Sequence, residues 1–214
     1  KWKTCQAQNV QLINIWEDDW QFKQDIVKSI ILNKLGKSKF KINARQCIIK
    51  NISSENSNNF LEQNHLQGMC QASIHLGLFF KDELVSLMTF GKRNLGKQIN
   101  FEMLRFCSKL NTNVIGSASK LFSYFLKNYN FDKVVSYANC DISDGGLYKT
   151  LNFKEIGHTG VNYWWSDNQN KYHRSKFMKH KIVTDDKSKT EIEIMKEHGF
   201  NRIFGTGNLK FEYS

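Results

Sequence analysis

The sequence predicts a mixed α/β (α+β) domain, with a mostly antiparallel sheet flanked by helices and a strand–helix appendage at the amino-terminal end. Two stretches carry that expectation. Ser73–Phe80 and Glu83–Phe90 are apolar runs separated only by Lys81-Asp82, the pattern of a tight hairpin. Asn111–Phe153 reads as a small-residue loop, an amphipathic helix, the apolar strand Val134–Ala138, a polar loop and a short helix ending in Leu151-Asn152-Phe153. A hydrophobic share of 40% supplies apolar surface for a core.

Taken in order, Val10–Trp16 is rich in β-branched residues and reads as a strand. Glu17, Asp18 and Asp19 place negative charge at the start of a helix, where the backbone dipole favours it. Trp20, Ile26, Val27, Ile30, Ile31 and Leu35 then form one apolar face of that helix, which Gly36 stops. Three acids in this place act as helix caps, with metal binding as the alternative, and no metal site is expected. The basic stretch 36–45 lacks apolar periodicity and marks a boundary, or a contact to a nucleic-acid backbone.

Beyond it, Gln46–Ile52 reads as a strand, and Ser53 or Ser54 caps a helix to about Asn64 with Phe60 and Leu61 inward. The hairpin follows. Phe101–Ser108 is a strand preceded by an exposed turn over 94–97. Leu121, Phe122, Phe125 and Leu126 make the stripe of the central helix. Strands are expected at Lys154–His158, Val161–Trp165 and Lys171–Met178, with Ser166–Asn170 turning between the last two. The segment from 185 to Ser214 holds a helix around Thr190–His198 and a Gly-punctuated end.

Composition narrows the function. With 31 basic and 20 acidic residues the formal net charge is +11, which favours a polyanionic partner and nucleic acid above all. The alternative is a coding bias toward Lys, Asn and Ile, which the absence of proline also suits. Cys5, Cys47, Cys70, Cys107 and Cys140 are dispersed without a CxxC pair, so free thiols in a reducing cytoplasm are expected rather than zinc or disulfides. No apolar run approaches the ~18 residues of a membrane span. Because the chain opens on Lys1, a segment upstream of it is expected.

The unit LINIWEDDWQFKQDIVKSIILNKLG resembles the carboxyl end of endonuclease domains related to very-short-patch repair nucleases, such as occur in phage homing endonucleases; the likeness spans residues 1–36. The acidic and His groups those domains need lie upstream of this tail, so cleavage by this chain is not expected.

Residues 46–180 follow the element order of the GNAT superfamily of N-acyltransferases. Asn113-Val114-Ile115-Gly116-Ser117-Ala118 resembles its Arg/Gln-x-x-Gly-x-Gly/Ala loop, with Asn113 in place of Arg or Gln. The stretch LYKTLNF resembles its LYxxxGF, with Asn152 replacing Gly; Asn tolerates the left-handed conformation needed there. The resemblance implies an acyl-CoA cofactor whose pyrophosphate lies on residues 113–118.

FLEQNHLQGMC with SIHLGLFFKDELVSLMTFGKR, then FEMLRFCSKLN, VVSYANCD and GGLYKTLNF, are similar to segments of the phage Mom DNA-modification proteins. That resemblance implies site positions at His65, Arg105, Tyr137, Asp141 and Tyr148. Tyr148 would protonate the departing thiolate, or simply pack. His65 would act as a base or orient an adenine amino group, or is a solvated helix-end residue. Arg105, mid-strand, needs a carboxylate or phosphate partner, with Glu102 and Asp141 as candidates. Asp141 stands two positions later than the acid of the family, whose place Asn139 takes.

Trp164 or Trp165 would stack on a flipped base, with one of the pair in the core. Lys171, Arg174, Lys176, Lys179 and Lys181, with Tyr172 and Phe177 between them, would form a DNA-contacting ribbon together with Trp165, or a Lys-guarded edge strand. The expected function is therefore a phage-type DNA-binding protein that transfers an acyl-type group to a DNA base, acting in the cytoplasm of a host cell. The alternative is the non-catalytic DNA-recognition part of a homing endonuclease; acetylation of a small amine is a third reading. The expected organisation is an endonuclease-like tail at 1–36, the GNAT-like domain at 46–180 and a basic extension at 181–214.

Overall fold

The computed structural model describes residues 1–95, 98–182 and 188–214. Before the sheet come helices α1 (Trp2–Ala7), α2 (Glu17–Phe22) and α3 (Gln24–Lys34). Strand β1 (Phe40–Asn43) is followed by β2 (Ile48–Asn51), helix α4 (Ser54–Asn64), β3 (Ile74–Phe80), β4 (Glu83–Leu95) and β5 (Gln98–Ser108). Next are β6 (Thr112–Ile115), α5 (Ser117–Asn128), β7 (Lys133–Asn139), α6 (Gly146–Thr150) and β8 (Lys154–His158). The chain continues through β9 (Tyr163–Ser166), β10 (Lys171–His173), α7 (Glu191–Glu197), β11 (Asn201–Phe204) and β12 (Asn208–Tyr213).

The main sheet has seven strands in the order β2-β3-β4-β5-β7-β12-β8, and only β5 with β7 runs parallel. This is the mixed, mostly antiparallel sheet with flanking helices that the sequence predicts. The β3–β4 hairpin turns on Lys81 and Asp82, at φ 48° and 63°, because a two-residue turn between twisted strands needs both central residues left-handed. Helix α4 starts as expected, the Ser53 hydroxyl accepting from the Asn56 amide at 3.2 Å. Asn152 adopts φ 62° directly after α6.

The core lies between the sheet and α5. Leu121 and Phe125 are fully buried, and the Phe125 ring stacks on Phe90 with centroids 3.8 Å apart. Along β7 burial alternates, with Val134, Ser136 and Ala138 inward. That alternation leaves Tyr137 and Asn139 on the other face.

Several boundaries differ from expectation. Residues 10–16 form no strand; Asn14 instead donates its amide to the Asp141 carbonyl at 2.7 Å. The helix expected from 17 to 35 breaks at Lys23 (φ −130°, ψ 33°) into α2 and α3. The stretch 36–45, expected as a boundary, contains β1, which pairs in parallel with β6, Lys41 opposite Asn113. The expected basic extension contributes sheet strands: β12 enters the main sheet between β7 and β8, and β11 joins β9 in a three-stranded sheet with β10. Of the expected strand 171–178 only 171–173 is extended; 174–177 and 179–181 are 3-10 turns. The turn at 96–97 and the residues 185–187 lie outside the described residues. None of the described helices is long and apolar enough to cross a membrane.

Candidate active site

The parallel ladder between β5 and β7 is short. It joins Asn100–Glu102 to Lys133–Val135 and then stops. The next link is a side chain, the Ser136 hydroxyl donating to the Met103 carbonyl at 2.7 Å. Leu104 is the extra residue of a bulge, since Thr89 pairs with Arg105 and Phe90 with Met103. Bulge and short ladder together open a cavity of about 400 Å³ between the strands. It shares His65, Phe106, Ile142 and Leu147 with a cavity of about 580 Å³ on one side. On the other it shares Gln67, Arg105, Asn139, Ile142 and Asn208 with one of about 750 Å³. The three cavities lie side by side along the domain, sharing these walls.

At the first end, Gly116 takes φ 79° as the N-cap of α5, a conformation that favours glycine. The first bond of the α5 ladder belongs to Lys120, which donates to the Gly116 carbonyl. The amides of Ser117, Ala118 and Ser119 therefore precede the ladder and are available to an anion. Asn113, Val114 and Ile115 are not a loop as expected. They form β6, with the Val114 side chain in the core and Ile115 exposed. Only Gly116, Ser117 and Ala118 make the turn into the helix.

Mid-cleft stands Tyr148. Its ring stacks on Phe211 at 4.7 Å, and its hydroxyl lies 3.0 Å from Ser136 Oγ. Burial raises its pKa above the ordinary phenol value, so it holds its proton at neutral pH. Glu102 lines the same cavity, its pKa raised by burial and opposed by Arg93 at 3.5 Å. Glu102, expected only as a partner for Arg105, alternates along β5 with the buried Phe101 and Met103 and so faces the cleft.

His65 is held neutral, its pKa lowered to about 3 by burial and then by the charges of Arg105 and Lys23. Its Nδ1 accepts from the Gln67 amide at 3.1 Å. The proton of the neutral ring is thereby assigned to Nε2, which makes His65 a donor and removes the expected base role. Arg105 does not pair with Glu102 or Asp141. Among the described residues it donates to carbonyls, Nε to Gly68 at 3.4 Å and Nη1 to Leu104 at 2.9 Å.

Asp141 is 2% exposed and acts as a clamp. Its Oδ1 accepts from Asn14 Nδ2 at 3.2 Å and from the Thr206 hydroxyl at 2.8 Å, tying the two chain ends together. Its Oδ2 is buried without a partner among the described residues, beside Gly205 and the Trp164 ring. Asp141 thus lines the far cavity and is not among the residues of the middle one.

The far cavity is walled by Trp164, Trp16 and Tyr172, the two indoles tilted at 6.0 Å. Its polar lining is rich in carboxamides. The side chains of Gln67, Asn162 and Asn208 and the Asn139 amide nitrogen have no partner among the described residues. Trp165, expected to stack on a base, is fully buried because it points to the opposite face of β9 from Trp164. Lys171, expected at a DNA ribbon, is tied to Asp18 and Asp19, each at 3.2 Å. Arg174, Lys176, Lys179 and Lys181 are exposed, but on 3-10 turns rather than a strand. Lys176 Nζ lies over the Tyr172 ring at 4.5 Å, and Lys181 Nζ donates to the Ser175 carbonyl at 2.9 Å.

Neither a protein-family model nor a curated protein matches this chain. Among solved structures it is similar to Arabidopsis thaliana Naa50 in complex with the bisubstrate analogue CoA-Ac-MVNAL, at TM-score 0.47 and 9% identity over 79% of this chain and 99% of that one. It is similar to an IAA acetyltransferase from Bacillus cereus at TM-score 0.45 and 12% identity, over 78% and 97% of the two chains. A GNAT family acetyltransferase from Elizabethkingia anophelis with acetyl-CoA bound gives TM-score 0.44 and 11% identity, over 79% and 98%.

Proposed function

We propose that this chain is a GNAT-type, Mom-like N-acyltransferase that carries an acyl group from coenzyme A to an amino group of a DNA base. The supporting observation is the cleft of adjoining cavities, with free helix amides at one end, a protonated phenol at its middle and an aromatic, carboxamide-lined cavity at the other. The α5 amides of Ser117 and Ala118 would take the donor pyrophosphate. The unpaired edges of β5 and β7 beyond Glu102 and Val135 would bond the amides of the donor arm, as an inserted strand does.

In the reaction, the base nitrogen attacks the thioester carbonyl, the C–N bond forms and the C–S bond breaks. Tyr148 gives its proton to the departing thiolate, and Glu102 takes the proton released by the nitrogen. The His65 Nε2–H and Arg105 supply donors to the oxyanion. Trp164 and Trp16 offer faces for a base drawn out of the helix, and the carboxamides offer paired donors and acceptors to its edge. The net charge of +11 supports a polyanionic acceptor.

The test incubates the protein with duplex DNA and acetyl-CoA, digests to nucleosides and looks for a base heavier by one acetyl group. A mass-shifted base supports the reading. DNA binding with neither acetylation nor stabilisation by coenzyme A would favour the non-catalytic recognition module, which the exposed cations at 174–181 also suit. Failure to bind DNA at low salt would overturn both.

A further inference from the structure

The N-terminal segment bears directly on the donor end of the cleft. Helix α3 packs beside β6, where Ser29 Oγ accepts from the Asn111 amide at 2.8 Å. Ile26, Ser29, Ile30, Asn33 and Lys34 of that helix then wall the 580 Å³ cavity opposite the start of α5. No carboxylate lines this cavity, although two lysines do. Of these, Lys109 is engaged by Glu83. Lys34 has no salt bridge or hydrogen bond among the described residues.

A second feature of the cavity points to a ligand. Ser117 is 4% exposed and lines the cavity, yet its hydroxyl has no hydrogen-bond partner among the described residues. An unpartnered hydroxyl, the three amides that precede the α5 ladder and Lys34 line one cavity whose wall holds no carboxylate. Burial lowers the pKa of Lys34, opposed by the charge of Asp144, which does not line the cavity and forms no salt bridge with Lys34 among the described residues. A phosphate would satisfy all these donors together.

We propose that Lys34 of α3 is a phosphate-binding residue of the donor site, so that the N-terminal segment completes the pocket from across the cleft. This rests on the donor reading given above. Lys34 is a solvent-reachable side chain on the last turn of a helix, so its replacement leaves the fold intact.

The experiment measures binding of coenzyme A and of pantetheine, which lacks phosphate, to the wild type, Lys34→Ala, Lys34→Arg and Lys109→Ala. Removing a charge-assisted contact of this kind weakens binding by roughly tenfold or more. Lys34→Ala should therefore lose about tenfold for coenzyme A and nothing for pantetheine, with a weaker salt dependence. Lys34→Arg should restore most of the loss, and Lys109→Ala should resemble the wild type. Equal binding of coenzyme A by wild type and Lys34→Ala would overturn the inference while leaving the donor reading intact. So would an equal loss for both ligands, since that reports a change of shape. A wild type that binds neither ligand would overturn the donor reading itself.

Discussion

The ammonium of Lys171 stands 3.2 Å from Asp19 Oδ2, joining positions 152 apart in the chain. Asp18 approaches at the same distance, and the Trp16 ring lies 5.3 Å from the nitrogen. With side chains only 16% and 13% exposed, Lys171 and Asp19 form a largely buried pair. Burial raises the Asp19 pKa more than Lys171 lowers it. Removing the lysine leaves two acids against each other, and Lys171→Ala should cost about 2–3 kcal/mol, toward the lower side for a broken buried pair. Asp19→Asn, which keeps the Asp18 contact, should cost less. Urea denaturation of the three proteins checks the order, and equal midpoints would refute it.

Tyr148→Phe keeps the ring stacked on Phe211 and removes only the hydroxyl. Stability should change by no more than about 1 kcal/mol, as for loss of one hydrogen bond. Acyl transfer should fall about a hundredfold if the phenol protonates the leaving thiolate. A single-turnover assay with acetyl-CoA separates the two effects. Retained transfer would assign Tyr148 to packing alone.

His65 links stability to acid pH. Its pKa falls from 6.5 to about 3, so the folded state binds fewer protons than the unfolded chain in that interval. The stabilisation tied to neutral His65 is present above pH 6.5 and is lost as pH falls toward 3. Comparing urea midpoints at pH 7 and pH 4.5, wild type should lose more stability than His65→Gln. NMR titration should find the His65 ring unprotonated at pH 5; protonation there would contradict the assignment.

The tandem tryptophans on β9 should separate cleanly. Trp165→Ala empties a fully buried site and should cost about 3–5 kcal/mol. Trp164→Ala alters the wall of the far cavity and should weaken acceptor binding with much smaller loss of stability. Thermal melts and DNA-binding titrations on both variants give the comparison. A Trp164 variant that binds DNA and transfers acyl groups normally would remove the stacking role.

The sheet was legible because its strands obey local rules. The apolar runs of β3 and β4, the alternation over β7, the Lys81-Asp82 turn and the stripe on α5 are all decided by neighbours close in sequence. The extended run at 10–16 misleads for the opposite reason: its β-branched residues suit a strand, but Asn14 is claimed by Asp141 from 127 positions away. Arg105 was expected to seek a carboxylate, and carbonyls exposed by the Leu104 bulge and the turn at Gly68 took that place. The basic stretch is not one strand because the chain turns into 3-10 geometry after His173, and Lys171 is drawn off to acids at the other end of the chain. Periodicity also cannot show that Ser117 and Lys34 share a cavity, since the start of α5 and the end of α3 meet only in the fold.

The placement of β12 has a kinetic meaning. The Asn208 amide bonds Thr159, 49 positions earlier, and Phe211 lies opposite both Ser136 and Glu155. Until that strand arrives, β7 presents a bare edge, β8 has no partner in the sheet, and the cleft lacks the Asn208 side of its wall. Closing so long a loop precedes any reward from its contacts, so sheet completion should be the slow step of folding. A chain stalled before it would carry the unpaired edges of β7 and β8, and self-association through them becomes the competing fate.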